Sequence, residues 1–498
     1  MSSVLLVALA AVLYLILKRY IEFRQAVATI QDFSGFRTLL SVFGTFNYVL
    51  MRVRIPGVTI GAFRSWGTKY EDFRYFDADI ISHVSVFPRV WLVSQEITAQ
   101  RTRYPKPVWQ YGILNFFGRN IVTSEADEWK RYRKIAAPAF SEPNNKLVWE
   151  EAVRIMSGLF EDVWGAQERI MCDHVVDLTL PIALFVIGAA GFGRRVTWKE
   201  DEVVGPGHTM TFKVALRTVS ADIVAKLVFP EWFLKYNPIK RLRNVSKAFV
   251  EFESYMLEMC AARRAAETKD EKHDLFNSLL DARDEDESGG AKLTDRELLG
   301  NIFIFLLAGH EVCHACTADN PHHSHGRILQ TTAHALAFTF ALLAFHEDEQ
   351  EKLYQHIKDV LKDGRTPVVA IPKHAAEDST LMTRNHAGEK IVIPIPRDSS
   401  ISINVCGLHY NPHYWDEPET FKPDRFLGNW PRDAFLPFSS GARSCLGRRF
   451  FETEGIAILA MLISRYRVEL KDEPEFAHET VAERRARIMR CRQSLTTT

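Results

Sequence analysis

The segment PFSSGARSCLGRRF, Pro437 to Phe450, gathers residues that could do chemistry together. Phe438, Gly441, Arg443, Cys445 and Gly447 fall at the spacing FxxGxRxCxG. A cysteine that opens a helix has amide donors and the positive end of the helix dipole to favour its thiolate, and a thiolate is a ligand for iron. Glycines at 441 and 447 let the backbone pass close to a large flat ligand where a Cβ would collide. Arg443 can pair with a carboxylate, and Phe438 can pack on an apolar face. A second stretch offers different chemistry. Cys313 and Cys316 stand at CxxC spacing, with His322, His323 and His325 following. Zinc could use such a set on a scaffold that orders four ligands.

Long apolar segments must position these residues. The segments 147–165, 247–267, 296–309, 331–362 and 449–465 have apolar positions at helical spacing, while 389–395 and 401–405 are short and β-branched. A chain of 498 residues that is 47% hydrophobic has enough apolar surface for a large core. Lys plus Arg and Asp plus Glu both number 62, so no net charge points to nucleic acid as a partner. The 7 cysteines form no disulfide framework and suit a reducing compartment. At the N-terminus, Val4 to Leu17 is uncharged and is followed by Lys18 and Arg19. That pattern predicts a membrane anchor over 1–20, a membrane-proximal linker over 21–59 and a cytosolic body over 60–498.

The Cys445 motif resembles that of the cytochrome P450 family, in its fungal membrane-bound form. Three other stretches support the likeness in chain order. Trp129 and Arg133 in EWKRYRK match the family's WxxxR helix, Lys373 in IPKHAAED stands at a basic position, and Arg425 in FKPDRF matches a structural arginine. The resemblance implies a mainly α fold with a small β region and a haem whose iron is ligated by Cys445. Trp129, Arg133, Lys373 and Arg443 would hold the haem propionates, with Phe438, Gly441 and Gly447 shaping the loop. It further implies a haem-thiolate monooxygenase acting on a hydrophobic small molecule, in secondary metabolism or xenobiotic oxidation. The partner would be an NADPH-dependent P450 reductase, and the location the endoplasmic reticulum membrane. Lys130, Arg131, Lys134, Arg448 and Arg449 form a candidate docking patch for that reductase.

The same resemblance exposes two departures. The family's central helix carries (A/G)Gx(E/D)T, the acid and alcohol that deliver protons at the oxygen site. Here Ala308, Gly309, His310 and Glu311 match, but Val312 stands where the threonine belongs. Removing Val312 to Gln330 brings Thr331 next to Glu311 and restores an unbroken apolar helix. Glu311 and Thr331 are therefore the catalytic pair the resemblance implies, and 312–330 reads as a translated intron. A loop without function and a zinc site are the competing readings of that stretch. The second departure is an ExxR pair, which the family places on a helix between the central helix and the cysteine loop. From Ala341 to Ser440 no glutamate has an arginine three residues later, so a segment is missing near 367–368. An inactive haem-binding product is the alternative these departures raise.

Overall fold

The computed structural model describes residues 96–195, 198, 204–265, 274–284, 292–310, 332–359, 371–384, 390–403, 405–409, 411–412, 414–418, 420–471 and 473–488, with strands 75–77 and 83–86 and scattered positions between 10 and 25. The chain divides into two compact units.

The larger unit comprises Val108–Pro367, Phe421–Asp424 and Cys445–Thr498. Its main helices are α1 (Ala126–Ala136), α2 (Glu142–Gly158), α3 (Val175–Val186), α4 (Phe212–Ala221), α5 (Lys240–Ala265), α6 (Asp295–His310), α7 (Thr332–Phe345), α8 (Glu347–Asp359) and α9 (Arg448–Ile463). In α1 the acids Asp127 and Glu128 occupy the first turn and the bases Arg133 and Lys134 the last, each sign at the end where the helix dipole favours it. Trp129, Tyr132, Ile135 and Ala136 recur at helical spacing and are buried. Helix α6 begins with a reciprocal cap: Thr294 Oγ1 accepts from the Glu297 amide, and Glu297 Oε2 accepts from the Thr294 amide. Helix α9 packs along α2, and α7 packs on α3. The core of this unit joins all of these elements around Phe117, Phe252 and Phe303.

The sequence reads 331–362 as one helix, but α7 ends at Phe345 and α8 starts at Glu347. The cause is local, because Glu347, Asp348 and Glu349 suit a helix start and not a helix middle.

The smaller unit comprises Met1–Pro107, Val368–Thr420 and Arg425–Ser444. Strands β1 (Tyr75–Asp77), β2 (His83–Val86), β3 (Ile371–His374) and β6 (Ser400–Ile403) form a mixed sheet in the order β1-β2-β6-β3. Strands β2 and β6 run parallel and the other pairs antiparallel. Strands β4 (Ser379–Arg384) and β5 (Lys390–Ile395) make a separate hairpin. Ile401, Ile403, Leu381 and Ile393 fill its core with Trp415 and Leu436.

A mainly helical fold with a small β region is therefore observed. The membrane anchor over 1–20, the membrane-bound class and the single-pass placement in the endoplasmic reticulum membrane are overturned. Among the described residues no helix is long and apolar enough to cross a membrane. The physical reason lies in the length of the run. Val4 to Leu17 would rise only about 21 Å as a helix before the charges of Lys18 and Arg19, against an apolar bilayer core of about 30 Å.

Candidate functional site

Cys445 lies in the larger unit just before a turn at Leu446 and Gly447 that leads into α9, which starts at Arg448. The Gly447 amide donates to its sulfur, and the Arg133 guanidinium acts on it through space. Both favour the thiolate, yet burial pushes the thiol upward and outweighs them. The residue as a whole is nonetheless exposed. Burial holds the Arg133 guanidinium below its usual range, with the Cys445 thiolate as the opposing influence. One helical turn away, the Trp129 ring lies 5.5 Å from Arg133 Cζ, as residues four apart on α1 must share a face. A soft sulfur donor near a guanidinium and an indole is a set that suits an iron porphyrin bearing carboxylates.

Gly447 has room. An added Cβ would meet only Cys445 Sγ and Phe140 Cε1, both at 3.9 Å. Phe140 in turn packs 5.9 Å from Phe305 and 6.5 Å from Phe450. Helix α6 is buried at Ile302, Phe303, Ile304, Leu306 and Leu307, but Phe305 is partly open and Ala308 exposed. Through Phe140 this open face of α6 adjoins the cysteine turn. Gly309 is turned toward the core instead, where a Cβ would stand 2.5 Å from Ile187 Cγ1. Leu114, Phe117, Ala215 and Leu216 are packed in the core of the same unit.

The remaining motif residues belong to the smaller unit. Lys373 is buried in β3, in register with Ile401 of β6. Gly441 and Arg443 form a single 3-10 turn, and Phe438 precedes it, half-buried. Gly441 has φ +71°, and a Cβ there would stand 2.4 Å from the Thr98 carbonyl oxygen. The chain's own backbone is therefore in itself a reason for a glycine here. Arg425 donates to the Asp416, Glu417 and Thr420 carbonyls and so closes the loop before the motif.

Thus Trp129, Arg133, Cys445 and Gly447 come together in one unit, while Lys373, Phe438, Gly441 and Arg443 belong to the other. Glu311 and Thr331 lie outside the described residues, as do the cysteines and histidines of 313–325. The basic docking patch is largely spoken for. Lys130 pairs with Asp127, Arg131 with Glu297, and Arg448 and Arg449 with Glu452. Phe140 escapes the sequence because a lone phenylalanine at the end of a short 3-10 turn carries no pattern.

The profile of the family described as Cytochrome P450 matches residues 78–314 and 385–489. The chain is 48% identical over 511 aligned residues to Cytochrome P450 monooxygenase 124 of Postia placenta, covering 96% of this chain and 94% of that protein. It is 28% identical over 447 residues to Cytochrome P450 monooxygenase prx9 of Penicillium rubens, covering 76% and 72%. Among solved structures, that of the cytochrome P450DA heme domain aligns with a TM-score of 0.58 and 21% identity, over 75% of this chain and 79% of that one. At such identity the likeness speaks for the fold alone.

Proposed function

The chain belongs to the cytochrome P450 family, and from that premise we propose that it is a monooxygenase of hydrophobic small molecules in which Cys445 ligates the haem iron. The observation that carries this reading is the exposed Cys445, placed where the Gly447 amide and the Arg133 guanidinium oppose burial and favour its anion. When bound, the haem supplies the reductive activation of dioxygen, with one oxygen atom entering the substrate and the other leaving as water.

The chain's own residues would bind and orient. Arg133 and the Trp129 indole would donate to the propionates, with Lys373 and Arg443 adding positive charge. Phe305 and Ala308 would present the apolar face to substrate, which suits a hydrophobic molecule. Glu311 would hold the proton destined for the oxygen site, with Thr331 as the alcohol that passes it on. Electrons would come from an NADPH-dependent reductase. Since four of the five basic residues already engage acids of this chain, its docking would rest less on free charge than the sequence implies.

The test replaces single cysteines. Cys445→Ala should abolish the red-shifted band of the reduced carbon monoxide complex, and Cys172→Ala should leave it. In the haem-free chain, Arg133→Leu should slow alkylation of Cys445 by raising its thiol further. A thiolate-type band that survives Cys445→Ala would refute the assignment.

A further inference from the structure

The segment that leads to Cys445 starts with a hydrogen bond that no motif predicts. His409, at the end of the short helix Val405–His409, accepts from the Leu436 amide through Nε2 at 2.9 Å. Its ring stacks on Phe435, with centroids 4.8 Å apart. Trp415 braces the same helix, donating from Nε1 to the Leu408 carbonyl at 3.2 Å. Leu436 opens a tight turn, closed by the Ser439 amide on the Leu436 carbonyl, and Ser439 is held at φ +63°. Pro437 has no N–H, so the Leu436 amide is the last donor before Phe438. Two residues past the turn, Gly441 is seated under the Thr98 carbonyl. The segment is therefore pinned at both ends within one unit.

We propose that His409 is a positioning residue for the cysteine loop, acting as a neutral imidazole that fixes Leu436 and so sets the course of the backbone toward Cys445. The proposal rests on the role given to Cys445 above. Acceptance at Nε2 places the ring proton on Nδ1, which is buried and meets no partner among the described residues. Burial lowers the His409 imidazole to about 4. The charged groups on the elements packed around it are Arg432 and Asp433 beside Phe435, and Asp416 beyond Trp415. All three are exposed, and burial is the one cause of the shift. A doubly protonated ring has no lone pair for the Leu436 amide, so acid would release the loop at its start.

The experiment follows amide hydrogen exchange at Leu436 in the haem-free full chain, corrected for the intrinsic pH dependence of exchange. Amides of α5 serve as the control for folding. At pH 7, His409→Phe keeps the ring stack but has no acceptor, and should exchange at least tenfold faster at Leu436 alone. His409→Gln restores an acceptor that cannot be protonated. It should keep the protection and should not lose it near pH 4, where the wild-type chain does. In haem-loaded protein, His409→Phe should lower the thiolate-type carbon monoxide band several-fold and His409→Gln should recover it. Unchanged Leu436 exchange in His409→Phe, or an acid loss that persists in His409→Gln, would overturn the proposal. If no variant loads haem, the exchange measurement still decides the role of His409, while the role of Cys445 is decided separately by Cys445→Ala.

Discussion

The Tyr132 hydroxyl donates to Glu297 Oε1 at 2.6 Å, tying the helix that carries Trp129 and Arg133 to the helix that leads to His310. Arg131 binds the same carboxylate through both terminal nitrogens. Burial works against the charge, yet Arg131, the Thr294 amide and Tyr132 together hold Glu297 at about 2. Its folded pKa is thus depressed below the usual 4.5, so its contribution is present above that value and is lost as pH falls through about 2. The side chain is 15% exposed, and the contribution is at most about 3 kcal/mol.

Glu297→Ala should therefore cost about 2–4 kcal/mol at pH 7, since it strips Arg131 of its carboxylate and leaves the buried Tyr132 hydroxyl with Glu128 Oε1, at 3.1 Å, in place of its shorter bond. Urea midpoints at pH 7 and pH 3 measure this. The gap between variant and wild type should narrow at the lower pH.

Glu454 presents the opposite case. It is 1% exposed on α9, and neither carboxyl oxygen has a partner among the described residues. Burial raises it well above the usual carboxyl range, so the folded chain carries it neutral while the unfolded chain ionises. Stability then falls as pH rises above 4.5 toward the folded value. Glu454→Met should stabilise the chain by about 1–3 kcal/mol at pH 7 and little at pH 4. Thermal unfolding at the two pH values checks both parts.

The two motif glycines should separate cleanly. Gly441→Ala puts a methyl against the Thr98 carbonyl and a side chain at positive φ, and should cost at least about 1–2 kcal/mol even without haem. Gly447→Ala meets ordinary contacts and should leave haem-free stability within about 0.5 kcal/mol. Haem retention should nonetheless fall in Gly447→Ala if a flat ligand passes that backbone. Equal melting temperatures for the two haem-free variants would show that the Thr98 contact does not govern Gly441.

Motif order along the chain was legible because each element there depends on local chemistry. WxxxR lies on one helix face, and Cys445 precedes a helix whose apolar spacing is plain. What escaped was set by distant partners. Thr98 explains Gly441, and His409 meets Leu436 across 27 residues of chain. Neither contact leaves a local pattern. The anchor was misread for a different reason, since an apolar run closed by two charges looks the same whether or not it is long enough to span.

The final prediction concerns the two departures from the family pattern. The family profile stops at 314 and resumes at 385, so its match lapses over most of the 312–330 stretch and over the 367–368 junction. The alignment to the Postia placenta relative runs to 511 positions, more than the 498 residues of this chain, so that relative holds residues with no counterpart here. Helix α6 closes at His310 and α7 opens at Thr332, and the intervening sequence contains Pro321 and Gly326, which do not suit a buried helix interior. Loss of a core helix with its ExxR ion pair would cost more than the several kcal/mol of a single core truncation, against a total stability of about 5–15 kcal/mol. Three chains should be compared: the one given, one lacking 312–330, and one that also restores the genomic segment between Pro367 and Val368. Haem bound per chain should rise several-fold across the series, with NADPH-driven oxidation strongest in the third. Equal haem content and equal turnover in all three would mean that the insert and the missing ExxR are adaptations the fold absorbs, and that Glu311 and Thr331 do not need to be neighbours in sequence.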